Sequence, residues 1–305
     1  MKLAQYFQNL EVPKGNIDVV LDTDAYNEID DQFALAYLLR RGDSLRLQAV
    51  YAAPFLNGKS ASPGDGMRKS YHEILKVLEL ADCAAYAKQT FQGSSRFLQN
   101  ETEAVISAAA EDLAERAMNY SPERPLYVAA IGAATNIASA LLLKPEIAEN
   151  IVIVWLGGHS LAYRDAKEFN MAQDIAAARV VLGSGAPFVL LPCMGVVSAL
   201  ATTKTELEYW LIGKNKLSDY LAKNAIDEAE SYAKGKPWSR VLWDVAAVAW
   251  LLNGGERFML SRLIPCPVPT YDGLYAKNAD GRLIRYVYHI NRDSLFEDLF
   301  AAFTR

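Results

Sequence analysis

Histidine and cysteine are scarce, with three of each in 305 residues. Cys83, Cys193 and Cys266 are odd in number, widely spaced and form no CxxC pair, which argues against a disulfide framework and against a thiolate zinc site. No run approaches the roughly 18–20 apolar residues of a membrane span, and the opening MKLAQYFQNLEVPKGN turns polar within a few residues and lacks an apolar signal core. Positive charge is not in excess either: 31 Lys and Arg against 36 Asp and Glu leave a net charge of −5. The basic residues are scattered, so nucleic acid and anionic membrane surfaces are poor partners. Internal repeats, low-complexity tracts and linkers long enough to divide the chain are absent. What remains is a single domain over residues 1–305, expected to be soluble and cytoplasmic. With 51% hydrophobic residues and 22% charged, disorder is excluded and the core needs no covalent staple.

A short apolar run, a polar or Gly-rich turn and a helical pattern recur along the chain. The runs are 17–21, 47–52, 126–131, 151–156 and 187–191, nearly continuous rather than alternating, which suits strands buried on both faces. Helical patterns follow at 30–40, 65–80, 134–143 and 174–182, so the fold class is α/β with a doubly wound, mainly parallel sheet. Further on, 206–234 and 239–252 read as helices, 282–290 (RLIRYVYHI) as an edge strand and 292–303 as a surface helix.

Ligands of open α/β sheets bind outside the carboxyl ends of the strands, so the residues after each run matter most. Asp22-Thr23-Asp24 follows the first run, Asn57 comes shortly after the second, Thr135-Asn136 after the third, Gly157-Gly158-His159 after the fourth and Cys193-Met194-Gly195 after the fifth. In VVLDTDAYNEIDDQFALAYLL, Asp22 and Asp24 stand two apart at a strand end, which points their side chains the same way, and Asp30 and Asp31 open the next helix. Either of the latter serves as an ordinary helix cap. Four clustered carboxylates, however, repel unless a cation or protons compensate. Oxygen-only donors point to a hard ion, and Ca²⁺ tolerates their irregular geometry better than Mg²⁺.

The segment resembles the N-terminal signature of the inosine–uridine-preferring nucleoside hydrolase family, DTDPGxDD before an apolar helix. Matches continue in order: AVYAAPFLNG ending at Asn57, IGAATNIASALLLKP, WLGGH…EFN, and WDVAAVAWLL where the family has HDPxAVA. The resemblance implies a Rossmann-like, mainly parallel (mixed) sheet flanked by helices, and hydrolysis of the N-glycosidic bond of a ribonucleoside in a calcium site. It implies Asp24, Asp31, Asp244 and the carbonyl of Thr135 as ligands of Ca²⁺, with Asp24 also the base for the metal-bound water. Asp30, Asn57, Glu168 and Asn170 would hold ribose hydroxyls, with Asp22 supporting from behind. The family's tendency to form dimers or tetramers implies a homo-oligomer whose other partner is a small nucleoside or N-riboside.

Three departures accompany the resemblance. The stretch AYNEI between Asp24 and Asp30 is two residues longer than the family's PGx and lacks its Pro-Gly, leaving Asn27 and Glu28 either as solvated turn residues or as parts of the site. Trp243 stands where many members carry a His that protonates the departing base. Indole has no usable proton, so Trp243 either stacks on a planar base or fills the core. Phe91-Gln92-Gly93-Ser94 replaces the family's HG-containing loop. His159, at a strand exit, is the histidine left to reach the pocket, whose roof is expected from Tyr232, Lys234, Trp238 and Arg240. Two other readings compete: a Mg²⁺-dependent phosphotransferase, which also begins with DxD after a strand, and a sugar- or nucleoside-binding relative that does not turn its ligand over.

Overall fold

The computed structural model describes residues 1–276, 278 and 281–304. The five apolar runs become strands β1 (Ile17–Thr23), β2 (Leu45–Ala52), β4 (Leu126–Ala130), β5 (Ile151–Leu156) and β6 (Phe188–Leu191), and a short strand outside them, β3 (Thr90–Gln92), lies between β2 and β4 in the chain. They are followed by β7 (Ala201–Thr202), β8 (Arg240–Val241), β9 (Met259–Pro265), β10 (Val268–Pro269), β11 (Tyr275–Ala276) and β12 (Leu283–Ile290). Eight strands form one sheet in the order β3-β2-β1-β4-β5-β6-β12-β9, while β7 pairs with β8 and β10 with β11. Every neighbour in the main sheet is parallel except β9, which runs antiparallel to β12.

Helices connect the strands: α1 (Leu3–Asn9), α2 (Asp30–Arg40), α3 (Pro63–Leu80), α4 (Ala108–Ala117), α5 (Thr135–Leu143), α6 (Phe169–Gln173) and α7 (Ile175–Gly183). Then come α8 (Lys204–Leu211), α9 (Lys216–Ala233), α10 (Val245–Leu251) and α11 (Arg292–Phe303). Successive strand residues face opposite ways, so the sheet separates two cores. Val19 and Leu21 of β1 pack with Phe33, Val77, Leu221, Val248 and Phe303 from the helices on one face. Val20 packs on the other face with Leu113, Ile137 and Val181 from α4, α5 and α7. Burial on both faces is why these strands read as continuous apolar runs.

Four details differ from the sequence reading. The 206–234 helix is two helices: Gly213 takes φ +77° between them, and the Asn215 side chain caps the second by accepting from the Ser218 N–H. Within 239–252, residues 240–241 pair with β7 and the helix begins only at Val245. The alternating strand β12 is interior, paired on one side with β6 and on the other with β9. Its Arg285 is engaged by the amino-terminal segment, donating to the Leu10 carbonyl at 3.0 Å. The last helix is docked rather than superficial: Leu295, Phe296, Leu299, Phe300 and Phe303 are buried, and Asp298 accepts from Arg41 at 2.9 Å.

Candidate active site

A cavity of about 230 Å³ opens at the carboxyl ends of the central strands. Its acids are Asp24, Glu28, Asp30, Asp31, Asp244 and Glu168, joined by the amides Asn27 and Asn170. Ile131, Leu156, Phe169, Cys193, Met194 and Trp243 supply its apolar and aromatic groups, and His159 and Lys167 complete the lining. A lining that combines acids and amides with aromatic rings suits a ligand that is both polyhydroxylated and planar in part.

The four aspartates come from the first crossover and the start of α10. Asp30 and Asp31 lie in the first turn of α2, yet neither caps it; the N-cap position is Ile29 and no side chain bonds there. The positive end of the helix dipole favours them, but their oxygens serve other contacts. Asp31 accepts from the Thr23 hydroxyl, and Asp30 Oδ2 accepts from the backbone N–H of Asp244 at 3.3 Å. One oxygen from each of Asp30, Asp31 and Asp244 falls within 4.8 Å of the others. Asp24 hangs over Gly132, where an added Cβ would meet its Oδ1 at 3.0 Å, so a side chain there would crowd the carboxylate. Asp24 Oδ2 and Asp30 Oδ1 are buried without a hydrogen-bond partner.

Burial pushes the four aspartates up. Asp30 rises to about 7, helped by the charge of Glu28 and opposed by Arg240. Asp24, Asp31 and Asp244 rise well above the ordinary carboxylate range, through desolvation first and then through one another's charges. An oxygen-only set of buried, mutually repelling acids with orphaned oxygens fits a hard divalent cation. Arg240 gives partial compensation: its Nη2 lies 2.5 Å from Glu28, 3.2 Å from Glu228 and 3.9 Å from Asp30.

Asp22 does not join Asp24 in the cavity lining. Asp22 is still in β1, opposite Tyr51 and Ala130, and is absent from the cavity lining. Its Oδ1 accepts from Asn136 Nδ2 at 2.8 Å, and burial pushes it up to about 7. Asn136 also accepts from the Ser94 N–H at 2.7 Å, which draws Phe91-Gln92-Gly93-Ser94 in behind the cavity. Thr135 is likewise outside the lining; its hydroxyl donates to Asp174 at 2.8 Å. Sequence reasoning passed over Asp174, which also caps α7 and accepts from the Leu98 N–H at 2.8 Å. It also passed over Cys193 as a lining residue, although its place just after β6 was the signal.

The opposite rim comes from the segment after β5. Glu168 is the N-cap of α6 and accepts from the N–H groups of Gly158, Asn170 and Met171 at 2.8–3.0 Å. Burial outweighs these bonds and pushes it up to about 7. Asn170 Nδ2 donates to the carbonyls of both Ile131 and Leu156 at 3.1 Å, so the amide bridges the exits of β4 and β5. Its Oδ1 accepts no hydrogen bond from the described residues. His159 lines the cavity with its Nδ1 unpartnered, and burial lowers its pKa, which keeps the ring neutral.

The remaining sequence candidates lie outside the lining. Asn57 is half-buried, and its Nδ2 donates to Asn27 Oδ1 at 2.6 Å. Asn27, for which a solvated turn was one of the two readings, is only 6% exposed. Of the expected roof residues, Tyr232, Lys234, Trp238 and Arg240 are all absent from the lining; Tyr232 is 60% exposed and Arg240 meets the site through Glu28 and Asp30.

Comparison with known proteins agrees with this architecture. The profile of the inosine-uridine preferring nucleoside hydrolases matches residues 19–282. The chain is 29% identical over 190 residues to the pyrimidine-specific ribonucleoside hydrolase RihA of Klebsiella pneumoniae, covering 60% of this chain and 59% of that protein. It is 28% identical over 153 residues to RihA of Salmonella enteritidis, covering 48% of each. The chain thus spans about half to three fifths of the length of these curated relatives. Among solved structures, an inosine-guanosine nucleoside hydrolase superposes with a TM-score of 0.73 at 19% identity, covering 94% of this chain and 98% of that one. The inosine-uridine preferring nucleoside hydrolase of Bacillus anthracis gives 0.69 at 19% identity, covering 94% and 99%. At such identities the likeness is one of fold.

Proposed function

The chain belongs to the inosine-uridine preferring nucleoside hydrolase family, and on that premise we propose that it cleaves the N-glycosidic bond of a ribonucleoside or related N-riboside, with calcium in the acidic half of the cavity. The observation that carries the proposal is the presence of the buried Asp30–Asp31–Asp244 cluster and the rings of Phe169 and Trp243 in one cavity. Asp24, Asp31 and Asp244 would hold the ion, with the Thr135 carbonyl as a fourth donor. When bound, the ion would acidify a water and orient sugar hydroxyls.

The chain's own groups account for the remaining steps. Asp24 Oδ2, buried and unpartnered, takes the proton of the attacking water. Asp30 and the free Oδ1 of Asn170 accept from sugar hydroxyls, and Glu168 fixes the strand-exit loop around them. Water adds to C1′ as the C1′–N bond breaks through an oxocarbenium-like state, and the electron pair leaves with the base. On the leaving-group side, Trp243 and Phe169 stack on the planar base. His159, kept neutral by burial, offers at most a hydrogen bond.

The DxD phosphotransferase reading loses its basis, because Asp22 faces Asn136 and not the cavity. The non-catalytic reading keeps one supporting observation, an indole in place of an ionisable acid. Assembly into a dimer or tetramer, and a cytoplasmic location, belong to the proposal as well. The deciding experiment is a nucleoside panel with and without chelator, scored for free ribose. Ribose released only in the presence of calcium supports the proposal. Equal turnover of 2′-deoxy and 5′-deoxy substrates would overturn the ribose assignment, and sugar binding with no product would favour the non-catalytic relative.

A further inference from the structure

The stretch of residues 25–29, longer than its counterpart in the family signature, is not a slack loop. The Asn27 N–H donates to the Asp24 carbonyl at 2.7 Å, closing a turn. Its own carbonyl accepts from Lys59 Nζ at 2.6 Å, and that ammonium is also 2.8 Å from Glu228 on α9. Glu28 is held from the other side by Arg240 at 2.5 Å. Pinned at both ends, the turn points Asn27 into the cavity wall three residues ahead of Asp30.

Asn57 is engaged behind it. Its Oδ1 accepts from the Lys59 N–H at 2.8 Å, and its Nδ2 is given to Asn27 Oδ1 at 2.6 Å. Asn27 Nδ2 donates to no described residue. The arrangement is a relay in which one amide orients a second, whose donor end is left facing the ligand.

We propose that Asn27, rather than Asn57, donates the hydrogen bond to a sugar hydroxyl on the acidic side of the cavity, with Asn57 acting as its positioning residue. The assignment rests on the proposed riboside chemistry and makes Asn27 a specificity determinant built into the longer turn. The family resemblance assigns the sugar contact to Asn57 after β2. Here that role has moved forward by one side chain.

The test is a double-mutant cycle of Asn27→Ala and Asn57→Ala, read by riboside hydrolysis and by calorimetric titration with D-ribose. Asn27→Ala should weaken both about tenfold to hundredfold, the scale of a lost hydrogen bond in a buried site. Asn57→Ala should cost less, and should add under twofold in the Asn27→Ala background because its effect passes through Asn27. Asn27→Ser, with thermal unfolding recorded for each variant, separates loss of the contact from loss of the fold. If Asn57→Ala costs more than Asn27→Ala, or the two losses multiply as independent factors, the relay is wrong. A protein that binds D-ribose in the expected order of variants but cleaves no riboside overturns the hydrolase proposal and upholds the Asn27 contact. One that cleaves ribosides with Asn27→Ala unimpaired does the reverse, and one that neither binds ribose nor cleaves overturns both.

Discussion

Arg240 Nη2 lies 2.5 Å from Glu28 Oε2 and 3.9 Å from Asp30 Oδ1, so a guanidinium from the segment before α10 is the counter-charge of the loop that follows β1. Only 13% of its side chain is exposed. Arg240→Met should therefore lower stability by about 1.5–3 kcal/mol, the range for charge-assisted hydrogen bonds. Calcium supplies positive charge to the same acids, so thermal unfolding should show a smaller deficit in its presence. An equal deficit with and without calcium would separate Arg240 from the carboxylate cluster.

Asp31 is held by the Thr23 hydroxyl and sits within the three-carboxylate group. Asp31→Asn should abolish calcium binding by calorimetry and reduce turnover about 10²–10³-fold, the effect of losing several kcal/mol of stabilisation from the ion. Because an amide of the same size removes one of several repelling charges, the metal-free variant should unfold at a higher temperature than the metal-free parent. Retained calcium affinity would remove Asp31 from the ligand set.

Stability without metal should fall as pH rises from 5.5 to 8. Asp22, Asp30 and Glu168 are pushed up to about 7 by burial, so from pH 4 to 7 the folded state holds protons that the unfolded chain has released. Each such group contributes stability that is complete below its unfolded value and is lost through about pH 7, at up to about 1.4 kcal/mol per pH unit. Calcium, which binds the ionised acids, should flatten or reverse the slope. Urea titrations at several pH values with and without chelator check this.

The leaving group gives the fourth prediction. General acids contribute about 10²–10⁴-fold, but Trp243 has no proton to give and burial disfavours the protonated, donating form of His159. Inosine and uridine should turn over slowly, and p-nitrophenyl riboside, whose leaving group needs no proton, much faster. Trp243→His should raise inosine hydrolysis relative to the activated substrate. Rapid hydrolysis of ordinary nucleosides by the unmodified protein would show that a different group serves as acid, with His159→Ala the first substitution to try.

The parallel strands were legible because burial on both faces leaves an unbroken apolar run, as in β5, where all six residues are buried. Strand β12 misled because alternation reports a half-polar surface, whether that surface meets solvent or, as at Arg285, the segment after α1. The acids were legible as a cluster, since four aspartates in ten residues are costly to place together without a cation. Their individual directions were not. Whether Asp22 faces the cavity depends on where the β1 pleat ends, and Asn136, 114 residues away in sequence, holds it from behind. The positions of Asn27 and Asn57 depend on Lys59, Glu228 and Arg240, contacts that no local pattern encodes.

Asn170 spends both hydrogens of its amide on the carbonyls of Ile131 and Leu156. The amide therefore cannot turn over without abandoning two strand ends, and its free oxygen can only receive. That makes the position one-directional. A hydroxyl approaching it finds a partner, whereas a fluorine or a ketone of nearly the same size brings lone pairs against lone pairs. Under the proposed riboside chemistry the site would distinguish a sugar's oxygen by whether it carries hydrogen, a discrimination that would come from the backbone of the sheet and not from the size of the cavity.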